Sequence, residues 1–129
     1  MKRSGILNRH LSGALAELGH GDGVLVCDVG FPIPDRVKVV DLAFRAGVPS
    51  FAEVLEGLLA ELVVEGATAA EEVREANPAA SALLDKHFPK PTLVSHQQLK
   101  DMAWDARVVV RTGEASPYAN VLLRCGVFF

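Results

Sequence analysis

Gly19-His20-Gly21-Asp22-Gly23-Val24-Leu25-Val26-Cys27-Asp28-Val29-Gly30-Phe31-Pro32-Ile33-Pro34 encloses an apolar run, Val24 to Cys27, between a glycine-rich turn and a proline-rich one. A short run rich in β-branched residues, with no polar alternation, reads as a strand buried on both faces, as in a parallel sheet. Polar residues collect at its ends, His20 and Asp22 before it and Asp28 after it. Ligands of open α/β sheets bind beyond the carboxyl ends of the strands, so Asp28 is predicted to project toward a binding crevice. Pro32 and Pro34 carry no amide proton and cannot extend a ladder, which predicts a rigid turn walling that crevice.

Outward from this strand the periodicities alternate. Leu7, Leu11, Ala14, Leu15 and Leu18 recur at helical spacing, with Gly19 as the C′ residue. Val37 to Leu42 reads as a second strand with Val37 and Val39 on one face. Ser50 and Glu53 form a capping box ahead of a helix whose stripe is Phe51, Val54, Leu55, Leu58 and Leu59. Helix and strand compete at Leu62-Val63-Val64, and the paired valines favour strand. Ala69 to Ala76 reads as helix, and Asn77-Pro78 then caps another helix through Leu84. Beyond the Phe88–Pro91 linker come a strand at Thr92–Val94, a helix over Gln97–Trp104, and a strand over Arg107–Arg111. A polar loop, Thr112 to Asn120, leads into a last strand from Val121. The class is α/β: one domain over residues 1–129, a mostly buried sheet flanked by helices.

The chain has 129 residues, of which 50% are hydrophobic and 22% charged, a balance that folds around one core. Net charge is −3 and no basic stripe is present, which argues against nucleic acid. Lys2 and Arg3 are not followed by an apolar signal segment, and no apolar run approaches a membrane span, so a cytoplasmic protein is expected. Cys27 and Cys125 fit neither a metal motif nor a disulfide framework and read as reduced, buried thiols. The apolar end Gly126-Val127-Phe128-Phe129 is expected to pack, either within the fold or against another subunit.

Each polar residue at a strand end has a plain structural reading and a chemical one. His20 can serve a helix C-terminus, Asp28 can cap the turn at Gly30, Asp22 can be a turn residue, and His96 can lie at the start of a helix. Tyr118 can be a half-buried aromatic with a satisfied hydroxyl. His10 and His87 read as surface residues. A metal site lacks local His-x-His or His-x-x-x-His spacing. The glycine-rich turn precedes a strand rather than following one, the reverse of a dinucleotide fingerprint. No nucleophile elbow is present.

Two motifs change the balance. Gly19-His20 with Val26-Cys-Asp-Val-Gly-Phe-Pro-Ile-Pro34 resembles the first signature of the D-ribose pyranases, the sugar mutarotase family that includes the fucose mutarotases. Gly113-Glu-Ala-Ser-Pro-Tyr-Ala-Asn-Val121 resembles the second. Gly47-Val48-Pro49-Ser50-Phe51, Glu71-Glu72 and Asn77-Pro78 match between them, so the resemblance spans the chain from Gly5 to its end. It implies that His20 is the acid/base group, that Asp28 and His96 bind the sugar, and that Tyr118, Asn120 and the backbone at Ala119 complete the site. It implies an α/β domain that is ring-forming, a homo-oligomer such as a pentamer or a decamer of stacked pentamers, with sites near subunit contacts. It also implies no metal and no organic cofactor. The expected substrate is a free monosaccharide, D-ribose first and L-fucose as an alternative. A rival reading is a sugar-binding or regulatory protein that has lost turnover.

Overall fold

Val24, Leu25, Val26 and Cys27 are fully buried in β1, Gly23–Cys27, the third strand of a six-stranded sheet. A computed structural model describes residues 1–129. The other strands are β2 (Val39–Asp41), β3 (Val64–Ala70), β4 (Thr92–Val94), β5 (Val108–Arg111) and β6 (Val121–Cys125), in the order β2-β5-β1-β6-β3-β4. β1 runs parallel to β5, β5 to β2, and β3 to β4, while β6 lies antiparallel between β1 and β3. Five strands therefore end on one edge of the sheet, and β6 starts there. The starts of β1 and β3 and the end of β6 share the opposite edge.

Side chains alternate across a strand, and β1 feeds two cores. Val24 and Val26 join the larger one, with residues of α1 (Arg9–Ala16), α2 (Phe51–Leu59), α3 (Val73–Ala76) and α4 (Pro78–His87). Leu25 and Cys27 join the smaller one, with Phe31, Val109, Ala70, Leu99 of α5 (His96–Met102) and Ala103 of a following 3₁₀ turn. The layers are helix, sheet, helix. Each buried leucine or valine contributes roughly 1.5–3 kcal/mol, so a strand without a polar residue suits this position and no exposed one.

Local chemistry fixes the helix starts. Ser50 Oγ accepts the Glu53 amide at 3.1 Å while Glu53 Oε2 accepts the Ser50 amide at 3.0 Å, the capping box read from sequence. Asn77 Oδ1 accepts the Ala80 amide, with Pro78 in the first turn of α4, which runs on to His87. A second capping box, Ser95 with Gln98, starts α5 at His96 rather than Gln97.

Three expectations need correction. The segment expected to turn helical at Ala69 is still strand: β3 begins at Val64 and carries through Ala70, and only Val73–Ala76 is helical. Alanine favours helix in isolation, but the hydrogen bonds offered by β6 and β4 override it, and Ala67 and Ala69 supply the small side chains packed in the larger core. In β2 the inward residue is Val40, 5% exposed, whereas Val39 is 42% exposed. Gly19 is not the left-handed residue after α1; that conformation falls at Gly21, φ 85°.

Gly113 is required by a close approach. A Cβ there would stand 2.7 Å from the Arg45 carbonyl oxygen and closer still to that of Val48. The Gly113 amide donates to Pro49 O at 2.9 Å, and its carbonyl accepts from Gly47 at 2.6 Å. The segment before α2 thus lies directly on the start of the Thr112–Asn120 loop. At the other edge the carboxyl end does not pack within the protomer: Phe128 and Phe129 are 89% and 91% exposed. No helix is long and apolar enough to cross a membrane.

Candidate functional site

Asp28 leaves β1 at the edge where the parallel strands end, and β6 starts beside it. The adjacency produces a reciprocal pair. The Asp28 amide donates to Asn120 Oδ1 at 2.8 Å, and Asn120 Nδ2 donates to Asp28 Oδ2 at 3.0 Å. Asp28 Oδ1 accepts the Gly30 amide at 3.0 Å, so the turn-capping reading holds as well. Burial pushes the Asp28 carboxyl above its ordinary range, against the opposing pull of its bonds from Asn120 and Gly30.

His96 opens α5 at the same edge. Its amide donates to both carboxylate oxygens of Glu72, at 3.1 and 3.0 Å, and these bonds hold the Glu72 carboxyl below its usual range. Two edge-on aromatic contacts fix the ring, with Phe31 at 5.8 Å and Tyr118 at 5.1 Å between centroids. The turn at Pro32 and Pro34 thus supplies Phe31 as a wall. His96 Nδ1 is buried with no hydrogen-bond partner, an open valence that a protein interior rarely leaves unused.

Tyr118, Ala119 and Asn120 come from the loop after β5. Tyr118 adopts φ 57°, a conformation costly for a residue with a side chain, while Ala119 and Asn120 are fully buried. Asn77 Nδ2 donates to Ser116 Oγ and to the Pro117 carbonyl, both at 2.8 Å. Glu114 Oε2 accepts the Phe51 amide at the start of α2, and Oε1 accepts the Ser116 hydroxyl. Burial pushes the Glu114 carboxyl up, but the bonds from Phe51, Ser116 and Ala115 outweigh it and leave it below the ordinary range. Tyr118 also borders an open depression of about 680 Å³ beside Glu71, Glu72, Arg74 and Glu75.

One chain therefore brings together Asp28, His96, Tyr118, Ala119 and Asn120, and leaves His20 apart. His20 precedes β1, and the five residues of the strand put about 17 Å between its two ends. The imidazole is 58% exposed, with Nε2 3.0 Å from Glu65 Oε2. Arg124 Nε holds the other Glu65 oxygen at 3.0 Å. His20 also lines a cavity of about 240 Å³ together with Cys125 and the exposed carboxyl end. Asp22 is a turn residue, accepting the Gly19 amide at 2.8 Å. His10 is exposed, while His87 is half-buried and paired with Glu56.

The grouped residues bring a carboxylate, a carboxamide, a phenol, an imidazole and backbone groups to one edge of the sheet. Such a set pairs with a ligand dense in hydroxyls. Thiol chemistry is not available: burial pushes Cys27 up to about 12 and raises Cys125 as well. No group of three or more His, Cys, Asp or Glu side chains is placed to hold a metal ion. Nothing in the sequence marks Glu72, Asn77 or Glu114 as supports of the site, whereas Phe31 lies in the turn predicted to wall it. Glu72 and Glu114 lie inside stretches that carried the resemblance, but their partners are 24 and 63 residues away.

Comparison with known proteins is consistent along the whole chain. Residues 1–128 match the model of the RbsD / FucU transport protein family. A D-ribose pyranase of Streptomyces coelicolor is 75% identical over 129 residues, covering 100% of both chains. The structure of Bacillus subtilis RbsD complexed with D-ribose superposes with TM-score 0.94 at 40% identity, covering 100% of both chains. A fucose mutarotase in complex with L-fucose from Streptococcus pneumoniae shares the fold, with TM-score 0.82 at 20% identity and 95% of each chain covered.

Proposed function

The chain belongs to the RbsD / FucU family, and from that membership we propose that it is a D-ribose pyranase, a mutarotase interconverting pyranose and furanose forms of free ribose. The observation that carries the choice of sugar is the 75% identity, without gaps in coverage, to a D-ribose pyranase. The crevice supports it with the right chemistry. Asp28, His96 and Tyr118 bind hydroxyls, Asn120 completes the site by holding Asp28, the Ala119 backbone adds a contact, and the unpartnered His96 Nδ1 takes one of the hydroxyl bonds.

Interconversion opens the hemiacetal and recloses it through another hydroxyl. A proton leaves the anomeric hydroxyl and another reaches the ring oxygen. An imidazole serves both directions near neutral pH, and His20 takes that part. Because His20 and Asp28 sit at opposite edges of one sheet, they act on the same sugar when the amino edge of one copy meets the carboxyl edge of the next. That arrangement is head-to-tail, the kind of contact that makes a ring when the rotation between copies closes. The exposed Phe128 and Phe129 beside His20 give the contact its apolar part. The family resemblance supports a homo-oligomer as the working form, a pentameric ring or a decamer of two, and the cytoplasm is the proposed location.

The uncatalysed reaction is already fairly quick, so the ~10²–10⁴-fold contribution typical of a placed acid/base group suffices. Exchange spectroscopy by NMR on D-ribose and on L-fucose, with and without the protein, tests the reading. Faster pyranose–furanose exchange of ribose is expected. Acceleration confined to fucose would reassign the sugar, and binding without acceleration would make the protein a sugar-binding relative.

A further inference from the structure

The strained conformation of Tyr118 needs something to hold it, and a continuous set of hydrogen bonds does so from outside the crevice. The Phe51 amide, first in α2, donates to Glu114 Oε2 at 3.0 Å. Glu114 Oε1 accepts from the Ser116 hydroxyl at 2.9 Å and from the Ser116 amide at 3.2 Å. Ser116 Oγ in turn accepts from Asn77 Nδ2 at 2.8 Å, which also reaches the carbonyl of Pro117. Asn77, 7% exposed, closes the set by capping α4 through the Ala80 amide. Two helix starts thus grip the loop on the two residues before Tyr118. We propose that Glu114, Ser116 and Asn77 are positioning residues for the sugar site, a clamp that fixes Tyr118 in its left-handed conformation and against His96.

The polarity runs one way through the clamp. Toward the loop, Asn77 Nδ2 and the Phe51 amide donate, ionised Glu114 only accepts, and the Ser116 hydroxyl does both, so Ser116 joins the two helix starts, while Asn77 Oδ1 is held by the Ala80 amide. A left-handed conformation is unfavourable for a residue with a side chain; once the bonds that select it are gone, the loop relaxes toward ordinary φ values. The phenol then leaves its edge-on contact with His96, and the site loses a preformed contact rather than its fold. None of the three side chains needs to touch the ligand for this to happen.

The inference rests on the sugar-site reading of Tyr118, and its test separates the two. Tyr118 is the only tyrosine in the chain, so a fluorotyrosine label gives one ¹⁹F resonance that reports this loop. Ser116→Ala and Glu114→Gln are compared with the wild-type protein by ¹⁹F spectrum, by D-ribose affinity in calorimetry and by melting temperature. The expected result is a displaced or broadened resonance and ribose affinity reduced about tenfold, in protein that still melts cooperatively. The double variant is expected to lose little more than either single one, because the two groups act as a unit. An unchanged resonance and unchanged affinity in Ser116→Ala overturn the clamp, even where Glu114→Gln unfolds the protein. A wild-type resonance that saturating D-ribose fails to move overturns the sugar reading of Tyr118 instead, while the resonances of the variants still decide whether the loop is clamped.

Discussion

Truncating Asn120 to alanine would remove both halves of the pair with Asp28 at a site that is fully buried. The Asp28 amide, bonded to Asn120 Oδ1 at 2.8 Å, would be left without its acceptor; stranding a buried donor costs about 1–3 kcal/mol. The carboxylate would lose the bond from Asn120 Nδ2 at 3.0 Å, and bonds to charged groups contribute about 1.5–3 kcal/mol. The two losses share a partner and overlap, and water admitted into the vacated volume offsets part of them. The combined cost is therefore set at about 3–4 kcal/mol, a large share of the ~5–15 kcal/mol that holds a domain together. For a domain of this size that corresponds to a fall in Tm of about 11–15 °C. The Asp28 carboxyl should also rise further, since Asn120 is the strongest of the bonds opposing its burial. Urea denaturation at matched protein concentration measures the first effect, and carboxyl titration by NMR the second. A loss below about 1 kcal/mol, with the titration of Asp28 unmoved, would refute the claim that this pair organises the site.

The other expectations follow from the same geometry. His20→Ala should abolish accelerated ribose exchange and weaken binding mildly, while Asp28→Ala should weaken binding itself; co-refolding the two inactive proteins should restore activity in about a quarter of sites if each site draws on two copies, and no recovery in mixed oligomers would place both residues in one chain's site. Asp28 and Glu114 should impose opposite pH dependences on stability. The raised Asp28 contributes stability that is complete below the ordinary aspartate pKa of ~3.9 and is lost as pH rises through its folded value. The lowered Glu114 contributes above the ordinary glutamate pKa of ~4.3 and loses that contribution as pH falls through its folded value. Hence Asp28→Asn should gain on the wild-type protein with rising pH and Glu114→Gln should converge with it on acidification, both read from denaturation midpoints across a pH series. Dialysis against a chelator should leave exchange rates unchanged; loss restored by zinc would overturn a metal-free mechanism.

What the sequence made legible was what neighbouring residues decide. The buried run at Val24–Cys27, the box at Ser50 and Glu53, the cap at Asn77 and the strand at Thr92–Val94 each depend on a handful of adjacent side chains. Glu65–Ala70 was read poorly because its alanines take their conformation from β4 and β6, which lie far along the chain. The same limit applied to the site. Asp28 and His20 stand at the two ends of one strand in the sequence, but that His20 lies apart from the group around Asp28 required the folded sheet. That Asn120 reaches back to Asp28 across 92 residues, or that Glu114 caps α2, required the folded chain.

The place of β1 in the sheet bears on how the protein is made. Its hydrogen-bonding partners are β5 and β6, the last two strands: Val24 pairs with Val108 and with Leu123. At ~5–20 residues per second, the stretch between Val24 and Val108 takes on the order of 4–17 s to leave the ribosome. Throughout that interval the most apolar strand of the protein exists with neither edge covered, a segment of the kind that sticks to other nascent chains. Nascent chains arrested before β5 should therefore be the most aggregation-prone and the most dependent on chaperones.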